Sequence, residues 1–398
     1  MMANPKPDFQ NTEIAFKHLS DRDLYRAWSL FRTINFKPLV VAGPPILSAA
    51  LKLRLPVKSL VRATVFKQFC GGETLDECQE TVEQLSKGGV YSILDYGVEG
   101  EKTEAGFDAA MREVLNTVRA AKGQPRIPFC VFKLTALARF ELLEKVSEIG
   151  VNSMTGDLAN EWQRVEARVS KICDEAIRAG KQVMIDAEET WIQPAIDHLA
   201  FAMMRKHNRA SGVVFTTIQM YCKQGLSNVQ KLLALGAAEG FIPAIKLVRG
   251  AYMEKERARA AARGYESPIH PDKAATDKAY DDALAVILGN NSPAFLCAGT
   301  HNANSCQRTI ALMEKGNMSP DHARVWFAQL LGMSDDLSFN LASAGYHAAK
   351  YLPYGPIAAV LPYLFRRAEE NTSIAGQSGR ELQLIERELR RRSQCGRS

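Results

Sequence analysis

From about residue 86 onward, short apolar runs alternate with amphipathic stretches. The runs fall at 89–97, 128–134, 182–189, 212–221, 242–252, 294–302, 325–333 and 348–352. Most are nearly continuous in apolar residues, the pattern of a strand covered on both faces. Between them, Phe107, Met111, Val114, Leu115 and Val118 recur at helical spacing, and 137–149 and 161–180 behave similarly. Eight such strands alternating with helices predict parallel pairing and a closed α/β barrel of the (β/α)8 TIM type. An open doubly wound sheet is the alternative. The chain contains no G-x-G-x-x-G, so the dinucleotide-binding version of that sheet lacks its fingerprint.

The flanks read differently. Residues 1–85 form an N-terminal helical arm, 86–376 the barrel, and 377–398 a C-terminal helix and tail, in which Leu382, Leu384, Ile385 and Leu389 are available for docking. Between Asp23 and Glu73 the arm has no acidic residue, while Arg26, Arg32, Lys37, Lys52, Arg54, Lys58, Arg62 and Lys67 supply eight positive charges. Such a basic, apolar stretch suits a membrane surface or packing on the main domain, and packing is the commoner use. At the other end, 348–352 reads as a strand broken by Pro353-Tyr354-Gly355. Pro356 then opens a helix with Ile357, Val360, Leu361, Leu364 and Phe365 on its apolar face. Arg366 and Arg367 follow, with Glu370 and Asn371 each four residues downstream. Two adjacent guanidinium groups suit a carboxylate or phosphate, although a solvated helix end is the ordinary reading of the same residues.

Composition narrows the field only a little. Of 398 residues, 46% are apolar and 24% charged, with a net charge of +6, as in an ordinary globular protein of mildly basic character. The eight cysteines form no C-x-x-C pair, and Cys130 and Cys297 sit in apolar runs, which favours reduced thiols acting as small hydrophobes. No H-E-x-x-H occurs, so no metal is expected. The acidic residues Asp8 and Glu13 near the start argue against a signal or transit peptide. The uncharged run 38–51 is too short and too rich in proline to span a bilayer.

A barrel builds its active site at the C-terminal ends of its strands, so polar residues should gather there. In strand order the sequence offers Asp95 and Tyr96; Lys133; Asp186 with Ala187, Glu188 and Glu189; Gln219; Lys246, Arg249 and Tyr252; Thr300, His301 and Asn302; Gln329; and Tyr351 ahead of Arg366 and Arg367. Any one has a structural explanation: Lys133 can snorkel, Asp186 can cap a helix, His301 can be a hydrogen-bonded core histidine. Eight strands with a polar residue at the same end are harder to explain that way, because buried charge is costly unless paired.

The motif KLVRGAY followed by Glu254, the run Asp186-Ala187-Glu188-Glu189, Thr300-His301-Asn302, and the closing segment with Tyr351, Pro353, Gly355, Tyr363-Leu364, Arg366-Arg367 and Glu370-Asn371 resemble the proline dehydrogenase family. The similarity covers about residues 66–375. It implies an FAD-dependent oxidation of L-proline to 1-pyrroline-5-carboxylate, with electrons passed to a quinone. It also implies that Gln219, Lys246, Arg249, Gly250, Ala251, Thr300, His301, Asn302 and Gln329 contact FAD, with Lys246 or Arg249 at the flavin edge. Lys133, Arg366 and Arg367 would meet the substrate carboxylate, balanced by Asp186 and Glu370, and Tyr252 and Tyr351 would wall the ring. Family motifs also occur with Arg at position 246 and Lys at 249, so the two cations are exchanged between forms. A tyrosine at 351 favours proline over the hydroxyproline of related dehydrogenases. The resemblance implies a cytoplasmic enzyme, peripheral on the inner membrane, or a mitochondrial one in a eukaryote, and no nucleic-acid partner. Two other classes compete. A Schiff-base barrel of the aldolase type would use Lys133 or Lys246 as nucleophile. A basic, non-catalytic scaffold would bind through its arm and Arg390-Arg391-Arg392, and leaves the strand ends unexplained.

Overall fold

The structure is a computed structural model. It describes residues 6–34, 57–97, 101–289, 292–373 and 377–395, the side chains of 368–373 and 377–378 excepted. Lys37, Lys52, Arg54, the run 38–51 and the side chains of Glu370 and Asn371 therefore lie outside the described residues.

All eight expected strands are present: β1 Tyr91–Tyr96, β2 Phe129–Phe132, β3 Gln182–Ile185, β4 Val214–Gln219, β5 Ala244–Val248, β6 Phe295–Gly299, β7 Val325–Leu330 and β8 Ala348–Tyr354. They close into a barrel in sequence order, and the ladders from β1 to β7 are all parallel. This is the (β/α)8 fold. By internal contacts the chain divides into two compact units, Ile93–Ala328 and Met1–Ser92 with Gln329–Ser398.

In the first unit the helices form where the apolar spacing places them. Helix Glu104–Ala121 starts at Thr103, whose hydroxyl accepts the Gly106 N–H, and it buries Phe107, Met111, Val114, Leu115 and Val118. Helix Gly156–Ala179 stops at Gly180, whose φ of 65° suits glycine. The floor of the barrel is aromatic. Phe129 packs edge-on against Phe215 and Trp326, at 5.4 and 5.1 Å between ring centres, and Phe215 meets Phe295 at 6.4 Å. These rings sit at the starts of β2, β4, β6 and β7, so the N-terminal end is filled and dry. Burying each ring contributes about 1.5–3 kcal/mol. Cys130 on β2 and Cys297 on β6 are fully buried, with burial pushing both thiols up to about 12.

In the second unit the described part of the arm is helical. Helix Asp21–Ile34 and the segment 58–69, which includes a π turn at Arg62–Phe66, pack through Leu24, Phe31 and Phe69. The same core takes in Val360 and Leu364 of helix Ile357–Ser373 and Leu384 and Ile385 of helix Gln377–Cys395. Arg62 finds its acids just downstream, pairing with Glu73 and Glu77 at 3.3 and 2.8 Å. Trp28 donates to Glu386 at 3.2 Å, which ties the arm to the C-terminal helix.

One local reading changes. The strand β8 does not break at Pro353 but runs to Tyr354, which pairs with Gly72. Pro353 offers only its carbonyl, and that carbonyl accepts the Gly71 N–H at 2.8 Å, so its missing donor is not needed. The turn comes at Gly355, with φ 142°. The helix after it contains Pro362 in its second turn, where one backbone hydrogen bond is lost.

Candidate active site

Four consecutive strands meet at one carboxylate. Lys133 follows β2, Asp186 follows β3, Thr217 lies on β4 and Lys246 on β5, where the register sets it beside Thr217. The Lys133 ammonium donates to Asp186 Oδ2 at 2.7 Å, Lys246 donates to Oδ1, and the Thr217 hydroxyl reaches Oδ1 at 3.4 Å. Both lysine side chains and the carboxylate are about nine-tenths buried, at 12, 9 and 9% exposure. Burial raises the carboxyl's pKa, but the two ammonium groups outweigh it and hold Asp186 well below the usual carboxylate range. Asp186 therefore stays ionised and fixes both lysines. It caps no helix, because helix Gln193–His207 begins without a side-chain cap.

The rest of the β3 loop is tied to its neighbours. Glu188 accepts the Thr135 N–H and hydroxyl at 3.0 and 2.6 Å. Gln219 donates to the Glu188 carbonyl at 2.7 Å and accepts the Ala251 N–H at 3.3 Å, so both ends of its amide are oriented. Glu256, fully buried on helix Met253–Arg263, accepts the Thr190 N–H and hydroxyl, both at 2.7 Å, and Lys255 reaches Glu189 at the same distance. The Lys255 ammonium also stands 5.4 Å above the ring of Tyr252, which is itself buried.

The second cation of β5 has different surroundings. Arg249 donates to Asp277 at 2.7 Å, to the Thr300 hydroxyl at 2.7 Å and to the Ser305 hydroxyl at 3.0 Å, with its guanidinium 4.4 Å over the Tyr280 ring. Asn302 caps helix Ala303–Lys315, accepting from Asn304 and Ser305. Thr300 is buried, and His301 is half-buried beside it. Gly250 has φ 136°, and a Cβ there would fall 2.4 Å from the Tyr221 ring, so packing against that ring already requires glycine.

In the other unit, Gln329 and Tyr351 are buried on β7 and β8, and the Gln329 amide oxygen accepts the Ser338 hydroxyl at 2.8 Å. Arg367 is 7% exposed with its guanidinium 5.3 Å from the Tyr363 ring centre, and Arg366 is half-buried. A solvated helix end does not describe this pair. Lys350 was overlooked in the sequence. It is fully buried and bonds the Met333 carbonyl and Asp335, the latter at 2.6 Å. A lone lysine in the apolar strand AAKYL was the available signal, by the reasoning applied to Lys133.

Charged and polar groups on successive strand ends above a filled aromatic floor define a barrel enzyme. The donor set fits an FAD: ammonium, guanidinium, amide, hydroxyl and imidazole groups suit a ligand rich in acceptors and phosphate charge. The family model for proline dehydrogenase matches residues 78–380. The carbapenem antibiotics biosynthesis protein CarD of Pectobacterium carotovorum subsp. carotovorum is 34% identical over 387 residues, covering 93% of this chain and 98% of that protein. Mitochondrial proline dehydrogenase 1 of Arabidopsis thaliana is 30% identical, covering 99% and 89%. Among solved structures, proline utilization A from Bdellovibrio bacteriovorus, inactivated by N-propargylglycine, superposes with a TM-score of 0.68 at 19% identity. That match covers 92% of this chain but 37% of the longer one, and it speaks to the fold. The chain belongs to the proline dehydrogenase family and is an oxidoreductase.

Proposed function

We propose that this chain oxidises L-proline to 1-pyrroline-5-carboxylate with FAD as its redox group and a quinone as final electron acceptor. The observation that carries the reading is the Lys133–Asp186–Lys246 cluster on the strand ends of a barrel of this family. No amino-acid side chain accepts a hydride, and FAD supplies that capacity when bound. Gln219, Lys246, Gly250, Ala251, Thr300, His301 and Gln329 are the residues proposed to hold it. Arg249 and Asn302 belong to the same set and also brace the strand ends through Asp277, Ser305 and the helix cap.

The substrate carboxylate is assigned to Lys133, Arg366 and Arg367. Asp186 aims Lys133, Glu370 is the proposed second counter-charge, and Tyr252 and Tyr351 are assigned to the ring. The bulk of Tyr351 favours proline over hydroxyproline, which leaves hydroxyproline oxidation as the second reading. Asp186 is a poor base because its proton affinity is so low. The ring nitrogen must then arrive neutral, with deprotonation left to solvent, and turnover should rise with pH as the free amine form grows. Among the described residues no helix is long and apolar enough to cross a membrane. We assign the enzyme to the cytoplasm, with peripheral contact at the inner membrane, or to the mitochondrion in a eukaryotic host.

Mass spectrometry of the reaction tests this directly. With L-proline and an electron acceptor, the product should have the mass of proline less two hydrogens. No such product, with hydroxyproline consumed instead, would transfer the assignment to the second reading.

A further inference from the structure

The loop after β7 is gripped from the C-terminal helix. Glu381, 5% exposed, accepts the Ser334 N–H at 2.7 Å and the Ser334 hydroxyl at 3.2 Å on one oxygen. The neighbouring Arg380 pairs with Asp336. Ser334 has φ 52° and ψ 46°, a left-handed conformation that serine adopts only when its surroundings impose it. One turn into helix Asp335–Ser343, the Ser338 hydroxyl lies 2.8 Å from the Gln329 amide oxygen and 3.3 Å from the Ser334 carbonyl. A hydroxyl has a single proton, and the shorter contact is the better bond, so Ser338 donates to Gln329. That bond decides which end of the Gln329 amide is the acceptor and turns the NH2 group the other way.

We propose that Glu381, Ser334 and Ser338 form a positioning relay from the C-terminal helix to Gln329, which holds its amide in the orientation that donates to the flavin. The proposal rests on the reading of Gln329 as a cofactor contact. None of the three relay residues is catalytic. Glu381 stabilises the left-handed turn, the turn places Ser338, and Ser338 sets the amide. Without the relay the Ser338 hydroxyl no longer fixes which end of the amide is the acceptor, and a carbonyl oxygen turned the other way has no proton to donate to a flavin acceptor. Burial, with Asp336 and Asp335 beside it, pushes the Glu381 carboxyl up to about 8, so glutamine is its close neutral mimic at pH 7.

The test is the dissociation constant for FAD, read from flavin fluorescence quenching on the full-length apo-protein. Thermal unfolding of the same apo samples runs in parallel. Ser338→Ala is expected to weaken FAD roughly tenfold while barely moving the unfolding temperature, the size of one lost hydrogen bond. Glu381→Ala should weaken it similarly, and Glu381→Gln should restore binding to within about twofold, because its amide oxygen still accepts from Ser334. Adding Ser338→Ala to Gln329→Ala should cause no further loss, since the two act through one bond. If Gln329→Ala weakens FAD but Ser338→Ala does not, or the two losses add, the relay is refuted and the cofactor contact survives. If Gln329→Ala leaves the constant unchanged, the contact itself is wrong and the relay with it. Should Glu381→Ala fail to fold, Ser338→Ala and the double variant still decide the question.

Discussion

The Lys133 ammonium stands 2.7 Å from the Asp186 carboxylate, both nearly out of water, and Lys246 holds the other carboxylate oxygen. Asp186 is thus the hub of the strand-end cluster. Asp186→Ala leaves two buried ammonium groups facing a void. It is expected to lower unfolding free energy by about 3–5 kcal/mol in urea titration. Asp186→Asn keeps the shape but not the charge and should fall between that variant and the native chain. A loss below about 1 kcal/mol for the alanine variant would mean the cluster is not held as the geometry implies.

Arg249 should not tolerate lysine. Its fork reaches Asp277, Thr300 and Ser305 in three directions while lying on Tyr280. A lysine has the charge without the planar geometry. Arg249→Lys is expected to cost about 2 kcal/mol of stability, measured by urea unfolding. The double exchange Lys246→Arg with Arg249→Lys should not recover it, because Asp277 and Ser305 remain out of an ammonium's simultaneous reach.

For Arg366 and Arg367 the expected effect falls on substrate. Replacing either with alanine should raise KM for proline by roughly tenfold or more, from the loss of charge-assisted hydrogen bonds. FAD retention, followed by absorbance after gel filtration, should change little. An unaltered KM in both variants removes them from carboxylate binding.

How far the chain was legible differs from element to element. The eight strands and the face of helix Glu104–Ala121 could be read because each is a local pattern of apolar residues. The polar strand ends were legible for the same reason, since a lysine or aspartate stands out against FCVF or QVMI. Partners were not legible. Nothing near Glu256 in sequence points to Thr190, 66 residues earlier, and nothing near Glu381 points to Ser334, 47 residues earlier. Nothing near Gly250 in sequence points to Tyr221, whose ring from another strand end occupies the space where a Cβ would be. Pro353 looked like a break, and the pairing that lets β8 continue comes from Gly72 at the far end of the chain. Long-range pairing of this kind leaves no local trace.

The Glu381 carboxyl gives a pH dependence with a definite sign. Its ordinary value of 4.5 is raised to about 8 by burial and by Asp336 and Asp335, against the opposing pull of the Ser334 N–H and Lys350. Arg380, paired with Asp336, and His18, against Asp335, complete the charged surroundings. The folded chain keeps a proton that the unfolded chain releases above 4.5, so this contribution is complete below 4.5 and is lost as pH rises through 8. Between pH 7 and 8 the unfolding free energy should fall by up to about 1.4 kcal/mol per unit from this group. His18 is lowered from 6.5 by burial and titrates below that window. In Glu381→Gln the slope over pH 7–8 should flatten, and an unchanged slope would assign the dependence to another group.

The visible absorption of the purified protein, before and after L-proline is added without oxygen, tests the central claim most directly. A yellow protein whose flavin band near the blue is bleached by L-proline, and restored by a quinone, is the expected result. A colourless preparation that neither takes up FAD nor responds to proline would contradict it.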